Sequence, residues 1–135
     1  MADVKNLLRQ HNEILELIGK INAFTTSQQI EANAFSTSLL LGQLAGKIKI
    51  HMTTEDKFVY PALLNHANPK VQSLSRQFAD EMGDLAKTFD SYKTKYMNAR
   101  EISANPASFL QQTKLVAAAL ATRIEKENTE LYPLL

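Results

Sequence analysis

Apolar side chains recur along this chain at alternating intervals of three and four, the spacing of one face of an α-helix. Val4, Leu7, Leu8, Ile14, Leu15, Ile18 and Ile21 form the first stripe, and His11 falls inside it. Asp3 stands where an N-cap belongs, and Thr25-Thr26-Ser27-Gln28-Gln29 reads as a turn followed by a new cap. A second helix is predicted from about residue 28 to about residue 65. Its core face carries Leu41, Leu44, Ile48, His51, Glu55, Phe58 and Ala62, and Thr53-Thr54 is the candidate place for a bend. Asn68-Pro69 and Asn105-Pro106 each read as an N-cap followed by proline at the first helical position. The third stripe is Val71, Leu74, Phe78, Met82, Leu85, Phe89, Tyr92 and Tyr96, ending near Asn98. The fourth is Phe109, Thr113, Val116, Leu120, Ile124, Glu127, Leu131 and Leu134. No segment alternates with a period of two. The expected fold is all-α, an up-down-up-down antiparallel four-helix bundle, with residues 1–135 as one domain.

Composition narrows the function classes. The chain is 44% apolar and 21% charged, ordinary for a soluble globular protein. A formal charge of +1, with basic residues scattered, gives no bias toward nucleic acid or membrane. The absence of cysteine excludes disulfides, zinc-thiolate sites, iron–sulfur clusters and thiol chemistry. The opening Met-Ala-Asp-Val-Lys-Asn lacks a signal-peptide pattern, so a cytoplasmic location is expected. There is no phosphate-binding loop, nucleophile elbow or His-Glu-x-x-His. Leu8, Ile48 and Leu63 precede the three histidines by three, which removes the Glu-x-x-His of ferritin-like bundles. No enzymatic activity is expected.

The chemistry lies in the polar residues of the core stripes. His51 and Glu55 are four apart, hence one above the other on a helix face. Burying them costs several kcal/mol, roughly, unless they are paired or bound. An internal repeat supplies partners. Arg123 through Leu135 matches His51 through Leu63, placing Glu127 on Glu55, Asn128 on Asp56, Tyr132 on Tyr60 and Pro133 on Pro61. Around His11, Gln10-His11-Asn12-Glu13-Ile14 is echoed by Glu81-Met82-Gly83-Asp84-Leu85. Each half is thus a helical hairpin, the first carrying His, His, Glu and the second Met, Arg, Glu.

In this pattern the chain resembles the hemerythrin-like (HHE cation-binding) family over nearly its whole length. The family pattern has a His on the first helix, His-x-x-x-Glu near the end of the second, a His on the third and His-x-x-x-Glu near the end of the fourth. The resemblance implies a site for non-haem iron, one or two ions, that binds or senses dioxygen or a similar small molecule. His11, His51, Glu55 and Glu127 match the metal ligands. Met82 and Arg123 stand at the other two histidine positions.

Two readings follow. In the first, the protein binds non-haem iron through His11, His51, Glu55 and Glu127 and serves in oxygen or redox sensing or storage. In the second, it is a metal-free interaction or regulatory module whose Arg123 guanidinium neutralises Glu55 and Glu127. Met82 is expected to fill core space. Tyr60 and Tyr132 are expected to anchor helix ends with wet hydroxyls. His66, in a connection, is not expected to be a ligand.

Overall fold

A computed structural model describes residues 3–135. Among them the chain is helical, without strands. The helices are α1 (Val4–Asn22), α2 (Ser27–Ala32), α3 (Ala34–Thr54), α4 (Tyr60–Leu64), α5 (Pro69–Tyr96), α6 (Ala99–Ala104) and α7 (Pro106–Lys126). A wide turn, Glu55–Val59, joins α3 to α4, and a second, Glu127–Leu131, continues α7 into a final tight turn at Tyr132–Leu134.

Side-chain caps explain the starts. The Asp3 carboxylate accepts from Asn6 N–H, Asn68 from Lys70 N–H and Asn105 from Ser108 N–H. Thr26 and Gln29 form a reciprocal capping box at α2. The predicted second helix is interrupted at Asn33, where α2 stops and α3 begins. α6, capped by Asn98, fills the third connection, which periodicity leaves blank because the segment is too short to show a stripe.

The two wide turns change the register of the core face. The N–H of Tyr60 donates to the Glu55 carbonyl, and that of Tyr132 to the Glu127 carbonyl, five residues back rather than four. A proline follows each tyrosine. Pro61 and Pro133 have no N–H, and their rings would crowd the carbonyl four residues back in a regular helix. The wider turn accommodates one extra residue. In consequence Phe58 and Ala62, expected in the core, are exposed, while Val59, Tyr60 and Leu63 are buried.

α1 packs on α3 and α7, and α5 packs on α3, α4 and α7. Two apolar clusters form the core. One gathers Ile14, Ile18, Leu44, Ile48, Phe89, Leu120 and Ile124 with their neighbours. The other gathers Leu7, Val59, Tyr60, Leu63, Val71, Phe78, Leu131 and Tyr132. The chemistry-bearing residues sit near the junction of the two along three of the long segments: His11 between Leu7 and Ile14, His51 and Glu55 between Ile48 and Val59, and Arg123 and Glu127 between Leu120 and Leu131. No helix among the described residues is long and apolar enough to cross a membrane.

Candidate metal centre

His11 on α1 and His51 on α3 face each other across the core, Nε2 to Nε2, at 3.1 Å. Their outer nitrogens are held by amides. His51 Nδ1–H donates to Gln10 Oε1 at 2.8 Å, and Gln10 Nε2 donates to Thr54 Oγ1 at 3.1 Å. The Thr54 hydroxyl itself donates to the Ile50 carbonyl, so its oxygen is the acceptor for Gln10 and fixes which end of the amide meets the ring. His11 Nδ1–H donates to Asn128 Oδ1 at 2.7 Å. In both rings the hydrogen on Nδ1 is committed outward, leaving Nε2 to hold a proton or a metal.

Glu127 completes a cluster able to hold an ion: one ligand atom each from His11, His51 and Glu127 lies within 4.8 Å of the others, all three buried. Glu127 Oε1 is 2.8 Å from His11 Nε2 and 3.3 Å from His51 Nε2. Glu55, fully buried, stands beside this group. Its Oε1 is 3.5 Å from His51 Nε2 and has no hydrogen-bond partner. Its Oε2 accepts from the Tyr132 hydroxyl at 2.9 Å. The four residues singled out by sequence therefore meet at one level of the core.

Both tyrosines are corrected from helix-end anchors to core residues. Tyr60 and Tyr132 are 6% and 4% exposed, and neither hydroxyl is wet. Tyr132 reaches the site because of the wide turn. In a regular helix it would lie about 140° around the axis from Glu127; the turn swings it onto the same side. The repeated Glu-x-x-x-x-Tyr-Pro was the signal in the sequence. Gln10 and Asn128, direct neighbours of His11 and Glu127 in the chain, carry no periodicity signal.

Arg123 pairs with Glu127 and not with Glu55. Its Nε donates to Glu127 Oε2 at 2.8 Å, and Nη2 donates to both the Tyr60 hydroxyl and the Phe78 carbonyl at 2.9 Å. The guanidinium also lies over the Phe78 ring, 4.6 Å from its centroid. Glu81 approaches Nη1 only to 3.7 Å and remains at the rim with Lys126. Met82 is buried, and His66 stays in its connection, where Nδ1 accepts from Asn68 N–H.

Electrostatics follow from burial set against these partners. Burial alone would depress the His51 imidazolium, but the hydrogen bond to Glu127 and the nearby carboxylate of Glu55 overcome it and raise its pKa to about 9. Burial likewise opposes ionisation of Glu127, yet His11, His51 and Arg123 together hold its carboxyl well below the usual range. Glu55 is pushed up, by burial first, against the pull of the neighbouring His51 and with the Glu127 charge adding to the rise. Burial, then the charges of Glu127 and Glu55, push the Tyr132 phenol up as well. A cation bound here would oppose protonation of every one of these groups.

A family model described as the hemerythrin HHE cation-binding domain matches residues 2–135. The chain belongs to this family. No curated protein and no solved structure matches it. For a hemerythrin HHE domain the donor set fits one cation. Two imidazoles with outward-fixed tautomers and one ionised carboxylate oxygen converge on one place, with an unpartnered buried Glu55 oxygen beside them. It does not fit two, because the second set of histidine positions holds Met82 and the fixed positive charge of Arg123.

Proposed function

We propose that this protein binds a single non-haem iron ion between His11, His51 and Glu127, with Glu55 beside it, and acts as an oxygen- or redox-responsive module. The observation that carries the reading is the convergence of both Nε2 atoms on Glu127 Oε1 while both Nδ1 atoms are tied to amide carbonyls. Imidazole and carboxylate together suit iron. The chain's own residues orient the donors, exclude water and leave the site without an exposed side chain, which favours binding over turnover of a substrate.

The arrangement we infer is the up-down-up-down antiparallel bundle of α1, α3 with α4, α5 and α7. Along α1 and α5 the chain runs from the Leu7 cluster toward the Ile14 cluster, and along α3 and α7 it runs the other way.

A metal-free scaffold is the rival reading, and the Arg123–Glu127 ion pair favours it. That pair satisfies only Oε2 of Glu127 and leaves both Oε1 of Glu127 and Oε1 of Glu55 to the histidine side. Metal analysis of protein purified without chelator, then loaded with iron(II) and desalted, decides between them. One iron per chain is expected; background metal supports the rival.

A further inference from the structure

Four atoms, not three, face one another at the centre of the site. The Tyr132 hydroxyl oxygen is 3.1 Å from His11 Nε2, 3.3 Å from His51 Nε2 and 3.2 Å from Glu127 Oε1. With the three distances among the other atoms, 3.1, 2.8 and 3.3 Å, every pair is nearly equally spaced. Four points so related form a tetrahedron. Its centre is about 1.9 Å from each vertex, close to the ~2.0–2.2 Å of metal bonds to imidazole nitrogen and carboxylate oxygen.

Hydrogen bonding satisfies only some of these contacts at once. Six pairs at hydrogen-bond length have at most three hydrogens to share, one from the phenol and one on each Nε2. The phenol can direct its hydrogen outward, to Glu55 Oε2 at 2.9 Å, which turns lone pairs of the tyrosyl oxygen toward the other three atoms. Each Nε2–H can donate to Glu127 Oε1, but the two Nε2 atoms, 3.1 Å apart, then set like groups against each other, and the tyrosyl lone pairs are left to share the same two hydrogens. A cation equidistant from all four satisfies every one of them.

The internal repeat supplies a parallel. Tyr60, the counterpart of Tyr132, also turns its hydroxyl across the core to the opposite hairpin, where it accepts from the Arg123 guanidinium at 2.9 Å. Each tyrosyl oxygen thus reaches polar side chains of the other half, and Tyr60 shows that a hydroxyl in this repeated position can accept from a cation.

We propose that Tyr132 is the fourth ligand of a four-coordinate, single-ion site whose other ligands are His11 Nε2, His51 Nε2 and Glu127 Oε1. Glu55 is then the partner of the tyrosyl oxygen and orients it, and Arg123 occupies the place of a second metal. The inference rests on the cation-binding reading above and specifies its ligand set.

The full chain, stripped with chelator, is titrated with cobalt(II), and separately loaded with iron(III). One cobalt per chain with the intense visible bands of a four-coordinate ion is expected. The iron(III) form should show a tyrosyl-to-iron charge-transfer band, with tyrosine ring modes enhanced in its resonance Raman spectrum. Tyr132→Phe should abolish that band and weaken cobalt binding by at least about tenfold, with helical circular dichroism retained. Tyr92→Phe, which removes a buried hydroxyl bonded to Thr113 away from the site, should keep both signals. The Raman signature of the unaltered protein decides the matter even where Tyr132→Phe does not fold. Bound iron(III) without tyrosine modes, or a band that survives in Tyr132→Phe, overturns this proposal alone. A protein that takes up neither metal overturns it together with the cation-binding reading.

Discussion

Arg123 and Glu127, one helical turn apart, are joined through only half of the carboxylate: Arg123 Nε takes Oε2 at 2.8 Å while Oε1 turns to the two histidines. Glu127 therefore bridges a metal-type cluster and a guanidinium. A fixed organic cation stands where the family pattern has a histidine. The pairing also helps keep the carboxylate ionised, after the larger contributions of the His11 and His51 hydrogen bonds.

Removing that cation should be costly. Arg123→Ala leaves Glu127 Oε2, the Tyr60 hydroxyl and the Phe78 carbonyl without their donor, and stability should fall by about 3–5 kcal/mol. Arg123→Lys should fall between the two, because an ammonium keeps the charge but not the fork. Urea denaturation of the chelated proteins gives the comparison; an unchanged midpoint in Arg123→Ala would rule out this role.

The amides that hold the imidazoles should matter to metal binding beyond any cost to the fold. Gln10→Ala and Asn128→Ala each free one Nδ1–H and should weaken metal binding about 10–100-fold. Competition against a chromophoric chelator measures this. Equal affinities in variant and parent would show that ring orientation is set by packing alone.

Replacing both mismatched residues tests why one ion is favoured. Met82→His with Arg123→His removes the positive charge and adds two imidazoles, so the double variant should bind two irons per chain where the parent binds one. Elemental analysis reads the ratio, and a ratio that stays at one would mean that the backbone there no longer fits a second ion.

The metal-free protein should lose stability in alkali. His51 has a folded pKa raised to about 9 from 6.5, so its contribution is fully present below about 6.5 and disappears as pH rises through 9. The loss is on the order of 3 kcal/mol. Glu127, whose pKa is lowered, works in the opposite sense, contributing above the ordinary carboxylate range and losing that contribution as pH falls. Melting temperatures of chelated protein at pH 7 and 10 should therefore differ, and His51→Gln should flatten the difference. A slope identical in His51→Gln would assign it to other groups.

Much of this was written in the chain itself. Periodicity of three and four, with Asn-Pro and Asp caps, determined that the protein is helical and where most long helices begin. His11, His51, Glu55 and Glu127 are legible because a polar residue inside an apolar stripe has to be buried, and burial requires a partner. The repeat showed where Arg123 would stand. Tertiary structure decided what periodicity assumes away. A constant 100° per residue places Phe58 in the core and Tyr132 at the rim; the choice of the Glu55 and Glu127 carbonyls, five residues back, over those four back reverses both. Whether Arg123 takes Glu55 or Glu127, and which amides hold the imidazoles, depends on the distances between helices remote in sequence. Spacing along one helix does not contain those distances; they are fixed only when the apolar clusters on either side of the site pack.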